Sequence, residues 1–179
     1  MPRNNAIPLT VPPDDPRRKL VIARPDGDSK LPYIGIVGDT YTILLTGNDT
    51  RDRFCLIDMH VPPGGGPPPH QHDFEESFTM LGGEIEVTFR GVKSVLRAGE
   101  TANIPANAPH QFQNRTSQPA RLLCICSPAG QEEFFLALGV PVAGRTTPPP
   151  KPDAAAMATF KKKSLALAPK YRTQILSEA

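Results

Sequence analysis

The sequence predicts an all-β fold, a small antiparallel barrel or sandwich, followed by a short helix and a C-terminal helix. Three observations lead there. Short runs rich in β-branched and aromatic residues recur from Tyr33 onward, separated by turn chemistry such as "GD" and "TGNDTRD". No helical periodicity appears before Gln131. The apolar share is 39% and the 22 prolines are about twice the average usage, which places a compact centre between proline-rich ends.

Taken in order, residues 1–18 hold five prolines and few large apolar groups, and are expected as an extended arm. The barrel domain is expected over 19–140. It opens with a strand in "KLVIAR" at 19–24 and continues through "YIGIV", "TYTILLT" and "RFCLIDMHV". "EIEVTF", "RG" and "VKSVLR" form a hairpin pattern, and "TANIP", "HQFQN" and "ARLLCIC" complete the strands. Cys124 and Cys126 are expected as buried strand residues, poorly placed for a mutual disulfide. In "SPAGQEEFFLALG", Phe134, Phe135 and Leu138 make an apolar helical stripe and Gly139 a stop. Residues 141–152 are a proline-rich linker. Residues 153–179 are a C-terminal helix and tail, with Asp153 as the N-cap and a solvated lysine face.

Composition excludes several partners. A net charge of +2 gives no electrostatic footprint for nucleic acid or a membrane surface. No apolar run reaches the ~18 residues of a membrane span. "MPRNNAIPLTVPPDDPRR" lacks the apolar stretch of a secretory leader, so a cytoplasmic protein is expected. Three cysteines suggest no disulfide framework.

The chemistry concentrates in "PPGGGPPPHQHDFEESF", residues 62–78. Side chains on a strand alternate faces. Even positions 70–80 read His70, His72, Phe74, Glu76, Phe78, Met80, while odd positions are nearly all polar. Two histidines and a carboxylate therefore share an apolar face, where a lone carboxylate is costly to bury. A metal cation accounts for all three, and the same parity turns Glu75 outward. "IPANAPHQFQN" supplies a third histidine, His110, on a face with Phe112 and Asn114. His60 opposes the apolar parity of Cys55, Ile57, Met59 and Val61, and is expected on the surface.

These residues resemble the cupin superfamily over residues 33–138. The first cupin motif fits at Gly64, His70, His72, Glu76 and Gly83, and the second at Gly99, Pro105, His110 and Asn114. Asn107 stands where the second motif has glycine, and asparagine tolerates positive φ. The resemblance implies a double-stranded β-helix, or small jelly-roll barrel, holding one divalent transition metal (Fe, Mn, Ni, Co, Cu or Zn) on His70, His72, Glu76 and His110. The glycines and prolines of the loop are expected as stiff scaffold that touches no ligand.

Phe74, Phe78, Met80, Phe112 and Cys55 are expected to wall an apolar pocket for a small molecule. The longer phrase also resembles the bacterial quercetin-dioxygenase-like branch. That resemblance implies a metal-dependent dioxygenase acting on a small aromatic or enolic substrate, with Glu76 as a ligand, a base, or both in turn. A non-redox isomerase or lyase, and a binding module without turnover, stand beside it. A homodimer is expected, with the N-terminal segment across the partner's sheet.

Overall fold

The computed structural model describes residues 11–28 and 30–177. Strands β1 (Tyr33–Ile36), β2 (Asp39–Leu45) and β3 (Cys55–Val61) form a meander. The "TGNDTRD" segment between the last two is a single helical turn, α1 (Gly47–Thr50), where the sequence suggested only a turn. The chain then enters β4 (His70–His72) and β5 (Glu75–Gly82), followed by β6 (Glu84–Phe89) and β7 (Val92–Arg97). Next come β8 (Thr101–Ile104), β9 (His110–Gln113) and β10 (Ala120–Ser127). The expected hairpin is β6–β7, and its two turn residues Arg90 and Gly91 have φ of 48° and 82°, as a two-residue turn matching strand twist requires.

After the barrel, α2 (Gln131–Leu138) ends at Gly139, and β11 (Val140–Pro141) pairs with β1. Helix α3 (Ala154–Leu167) starts at Asp153, whose side chain accepts from the Ala156 amide at 2.7 Å. A 3₁₀ turn (Ala168–Tyr171) leads to β12 (Thr173–Ile175).

The strands form two antiparallel sheets. One has the order β11-β1-β2-β3-β10-β5-β8, and the other β12-β4-β9-β6-β7. Their inner faces carry the alternate residues of each strand, so Ile57, Phe78, Met80, Ile85, Phe112 and Leu122 meet in one core. This is the all-β jelly-roll barrel the sequence predicts.

Several expectations are corrected. Residues 1–10 of the arm lie outside the described residues. Lys19–Arg24 forms no strand: Leu20 is 86% exposed, and no sheet edge offers it hydrogen bonds. Instead, the Arg18 guanidinium donates to the Asp49 carbonyl and Arg51 pairs with Asp15. The linker is docked against the barrel. Thr40 donates to the Thr147 carbonyl at 2.8 Å, and Gly35 leaves room for Pro149. The tail contains β12, which pairs with β4, so Thr173 faces His72 in register and Ile175 faces His70. A second apolar cluster (Phe134, Leu138 and Ala168, flanked by Phe160 and Tyr171) ties α2 to this C-terminal segment.

Candidate metal centre and cavity

The expected single strand through 70–80 is two strands in different sheets. The chain turns a corner at Asp73 and Phe74, moving from β4 to β5. The corner occupies two residues, so alternation survives it: His72, Phe74, Glu76, Phe78 and Met80 are buried while Asp73 and Glu75 are exposed. Glu75 accepts outside the barrel from Asn103 and from the Ala106 amide.

The glycine loop sets the approach to β4. Gly66 has φ of 130°, and a Cβ there would collide with the Phe112 carbonyl. Asn114 fixes the loop to β9: its amide donates to the Gly65 carbonyl at 2.9 Å, and its side chain donates to the Val61 carbonyl at 2.9 Å. Asn107 adopts φ of 66°, and its amide donates to the His72 carbonyl at 2.7 Å. Asparagine thus performs the turn, and the turn joins the two histidine-bearing segments.

His70 and His110 are register partners on β4 and β9, with ring centroids 4.2 Å apart. The ligand atoms of His70, His72, Glu76 and His110 all lie within 4.8 Å of one another. Each imidazole has its Nδ1 at 2.9 Å from a backbone carbonyl: Pro68 for His70, Phe74 for His72 and Ala108 for His110. Carbonyl oxygens only accept, so each Nδ1 carries a proton, and in the neutral ring each Nε2 presents a lone pair. Two of those Nε2 atoms, on His72 and His110, lie 3.2 Å and 3.0 Å from Glu76 Oε2. Lone pairs facing a carboxylate oxygen repel unless a cation lies among them. The donor set therefore fits a divalent transition metal, with second-sphere carbonyls already orienting the rings.

Electrostatics agree. Burial holds His70 down at about 4, with the neighbouring His110 acting in the same direction. Burial alone would raise Glu76, but positive charge at the His110 and His72 nitrogens, whether on a proton or on a bound cation, outweighs it and holds the carboxyl well below the usual range. The second oxygen, Oε1, accepts from the Cys124 thiol at 3.2 Å. Cys124 is itself pushed up to about 12: its bond with Cys126 lowers it, and burial together with the Glu76 charge more than compensates. Cys55, Cys124 and Cys126 are all buried and free.

A cavity of about 660 Å³ opens beside the cluster, reached by His70 and Glu76. Phe78 and Phe112 line it. Phe74, Met80 and Cys55 do not. Phe74 lies beyond the cluster, its ring stacked at 3.9 Å on His72, and the other two fill the core between the sheets. Pro67 and Pro68, expected as scaffold alone, are part of the wall. The sequence reading missed the far side, made by Phe134 and Phe135 of α2, Phe160 and Lys161 of α3, and Ile175 of β12. It also missed Asp39 and Tyr41, whose shared parity with Ile43 in "DTYTI" was available as a signal. His60 sits half-buried on the opposite face of β3.

Among the described residues, no helix is long and apolar enough to cross a membrane. Quercetin 2,3-dioxygenase of Bacillus subtilis (strain 168) is 29% identical over 109 residues, covering 60% of this chain and 32% of that protein. The HTH-type transcriptional regulator PuuR of Escherichia coli (strain K12) is 28% identical over 116 residues, covering 65% of this chain and 60% of the regulator. The chain thus spans less than two thirds of either relative. A predicted oxalate decarboxylase from Thermotoga maritima, a solved structure, superposes with a TM-score of 0.53 at 18% identity, over 60% of this chain and 99% of that one. That likeness concerns the fold. The family model of the Cupin domain matches residues 57–126, a span that includes all four side chains of the cluster and the strands that hold them.

Proposed function

We propose that the protein is a metal-dependent dioxygenase-like enzyme acting on a small aromatic or enolic molecule. The observation that carries this reading is the apolar cavity opening directly onto His70 and Glu76. The likeness to a quercetin 2,3-dioxygenase supports it. His70, His72, Glu76 and His110 would hold the metal. A divalent transition metal there supplies Lewis acidity toward a chelating oxygen and, if redox-active, a route to dioxygen chemistry.

The chain's own residues do the rest. Phe78 and Phe112, edge to face at 5.3 Å, offer a flat apolar wall on which a ring can rest. Glu76 reaches the cavity and is held ionised, so it can accept the proton of an enol or phenol hydroxyl brought beside it. Phe134, Phe135 and Phe160 line the opposite side and give the ligand a second apolar wall.

The test is to load the metal-free protein separately with Fe, Mn, Ni, Co, Cu and Zn and offer flavonols, catechols and β-diketones under oxygen. Substrate loss with matching oxygen uptake, abolished by His70→Ala, is expected. Turnover without oxygen uptake would replace this reading with an isomerase or lyase. Ligand binding without turnover would replace it with a binding module, a reading favoured by the match to PuuR. The proposal includes a homodimer, with the exposed Leu20 and Ile22 of the N-terminal segment as apolar contact surface.

A further inference from the structure

The lysine run of α3 is divided by the fold. Met157, Phe160, Lys161, Ser164 and Leu165 recur at helical spacing, so they share the face of α3 that forms one wall of the cavity. Lys162 falls off that face and is exposed, while Lys163 donates to the Ala137 carbonyl of α2 at 2.6 Å. Lys161 is the single lysine or arginine on the cavity wall. It is exposed as well as wall-forming. A lysine of that kind lays its methylenes on apolar neighbours and holds its ammonium at the rim, in reach of any ligand that enters. Among the described residues no carboxylate pairs with it. The two carboxylates on the wall are engaged elsewhere: Glu76 by His72 and His110, and Asp39 by the Tyr41 hydroxyl at 3.1 Å. One helical turn on, Ser164 is 7% exposed and lines the same wall. Its hydroxyl has no hydrogen-bond partner among the described residues. It is not sealed from solvent as the unpartnered Thr42 hydroxyl is, so it faces open cavity.

We propose that Lys161, assisted by the Ser164 hydroxyl, is a specificity-determining residue that receives a carboxylate at the outer end of the cavity's ligand. The ligand class is thus an aromatic or enolic chelator carrying a carboxylate remote from its chelating oxygens. Its enol or phenol end sits at the histidine–glutamate cluster, its apolar body lies between Phe78 and Phe112 on one side and Phe134 and Phe135 on the other, and its charge stays at the rim. A volume of about 660 Å³ accommodates a molecule of two or more rings. An ammonium only donates, so its partner must be an acceptor. A singly charged acceptor balances it, whereas a phosphate dianion would leave one charge uncompensated beside phenylalanine walls. Those walls also lower the local dielectric, which makes the pairing stronger than one on an open surface.

This inference rests on the function proposed above, and the experiment separates the two. The zinc-loaded 179-residue chain is titrated under argon at low ionic strength with 3-hydroxyflavone and with 4′-carboxy-3-hydroxyflavone, which adds one remote carboxylate, and binding is followed by ligand fluorescence. The native chain should bind the carboxylated compound about tenfold tighter. Lys161→Gln, at an exposed helix position that does not threaten folding, should bring that ratio to about one and leave the parent flavonol's Kd within about twofold. Lys161→Arg should keep most of the preference, and Ser164→Ala should cut it about threefold. Lys162→Gln removes the same charge one residue away and should leave the ratio unchanged. Equal binding of both compounds by the native chain, an unchanged ratio in Lys161→Gln, or an equal fall in Lys162→Gln overturns the rim site and leaves the proposed function standing. An unchanged ratio in Ser164→Ala removes the hydroxyl from it. Failure of both compounds to bind overturns both readings.

Discussion

The thiol of Cys124 donates to Glu76 Oε1 at 3.2 Å, on the side of the carboxylate away from His72 and His110. One oxygen of Glu76 is thereby occupied inside the core, and the other, Oε2, is left to the histidines. Cys124→Ser keeps a donor in place. Cys124→Val removes it and frees the carboxylate to rotate. Metal affinity, measured by competition with a chromophoric chelator, should fall about tenfold in the valine variant and much less in the serine variant.

The three imidazoles are oriented by backbone carbonyls whether or not a neighbour is mutated, so the ligand set fails by loss of donors. His72→Ala combined with His110→Ala should abolish stoichiometric metal in elemental analysis. Full occupancy in that double variant would refute the assignment of the cluster.

Glu75 and Glu76 are adjacent but face opposite sides of β5. Glu76→Gln replaces a charged ligand by a neutral amide and should weaken metal binding by about 10- to 100-fold. Glu75→Gln should leave metal binding unchanged. It disturbs only the exposed contacts to Asn103 and Ala106, so its stability cost should stay within about 1 kcal/mol in denaturant titration.

The raised carboxyl of Asp39 makes stability depend on pH. Its folded value of about 7 lies above the unfolded 3.8, so between those limits the native state holds more protons than the unfolded state. Its contribution to stability is therefore lost as pH rises from about 4 to about 7, and the penalty is constant above that. Asp39→Asn cannot ionise. The stability difference between variant and native chain, from urea melts, should shift in the variant's favour by a few kcal/mol between pH 5 and pH 8 (on the order of the shift itself).

Among the described residues, β12 supplies the only neighbour of β4 on the side away from β9. Removing residues 173–177 should leave the barrel folded but expose the outer edge of the histidine strand and open one wall of the cavity. Faster amide exchange at Gln71 and weaker metal affinity are the expected readouts.

The barrel and its ligand face were legible because they follow from alternation, a local property. Parity placed His70, His72 and Glu76 together even though they belong to two strands, since the corner at Asp73 and Phe74 preserves the period. The strand at 19–24 was misread for the converse reason: a short apolar run makes a strand only where an edge is available, and Leu20 and Ile22 have none. β12 is three residues long and defined wholly by its distant partner, so "TQI" carries no local signal. The burial of Glu132 was equally hidden. It depends on the nearby Gly130 amide at 2.8 Å and on the Gly47 amide at 2.7 Å, and the second is brought there only by the tertiary fold.

The pairing of Thr173 with His72 also sets an order of events during translation. Every other strand of the two sheets precedes α3, so those strands can assemble while the C-terminal segment is still in the ribosomal tunnel. Until residues 173–175 emerge, β4 presents a bare row of amides and carbonyls beside two histidines. Such an edge is adhesive toward other nascent chains and open to adventitious metals. Of the strands described in these two sheets, the last to emerge is the one that removes both hazards.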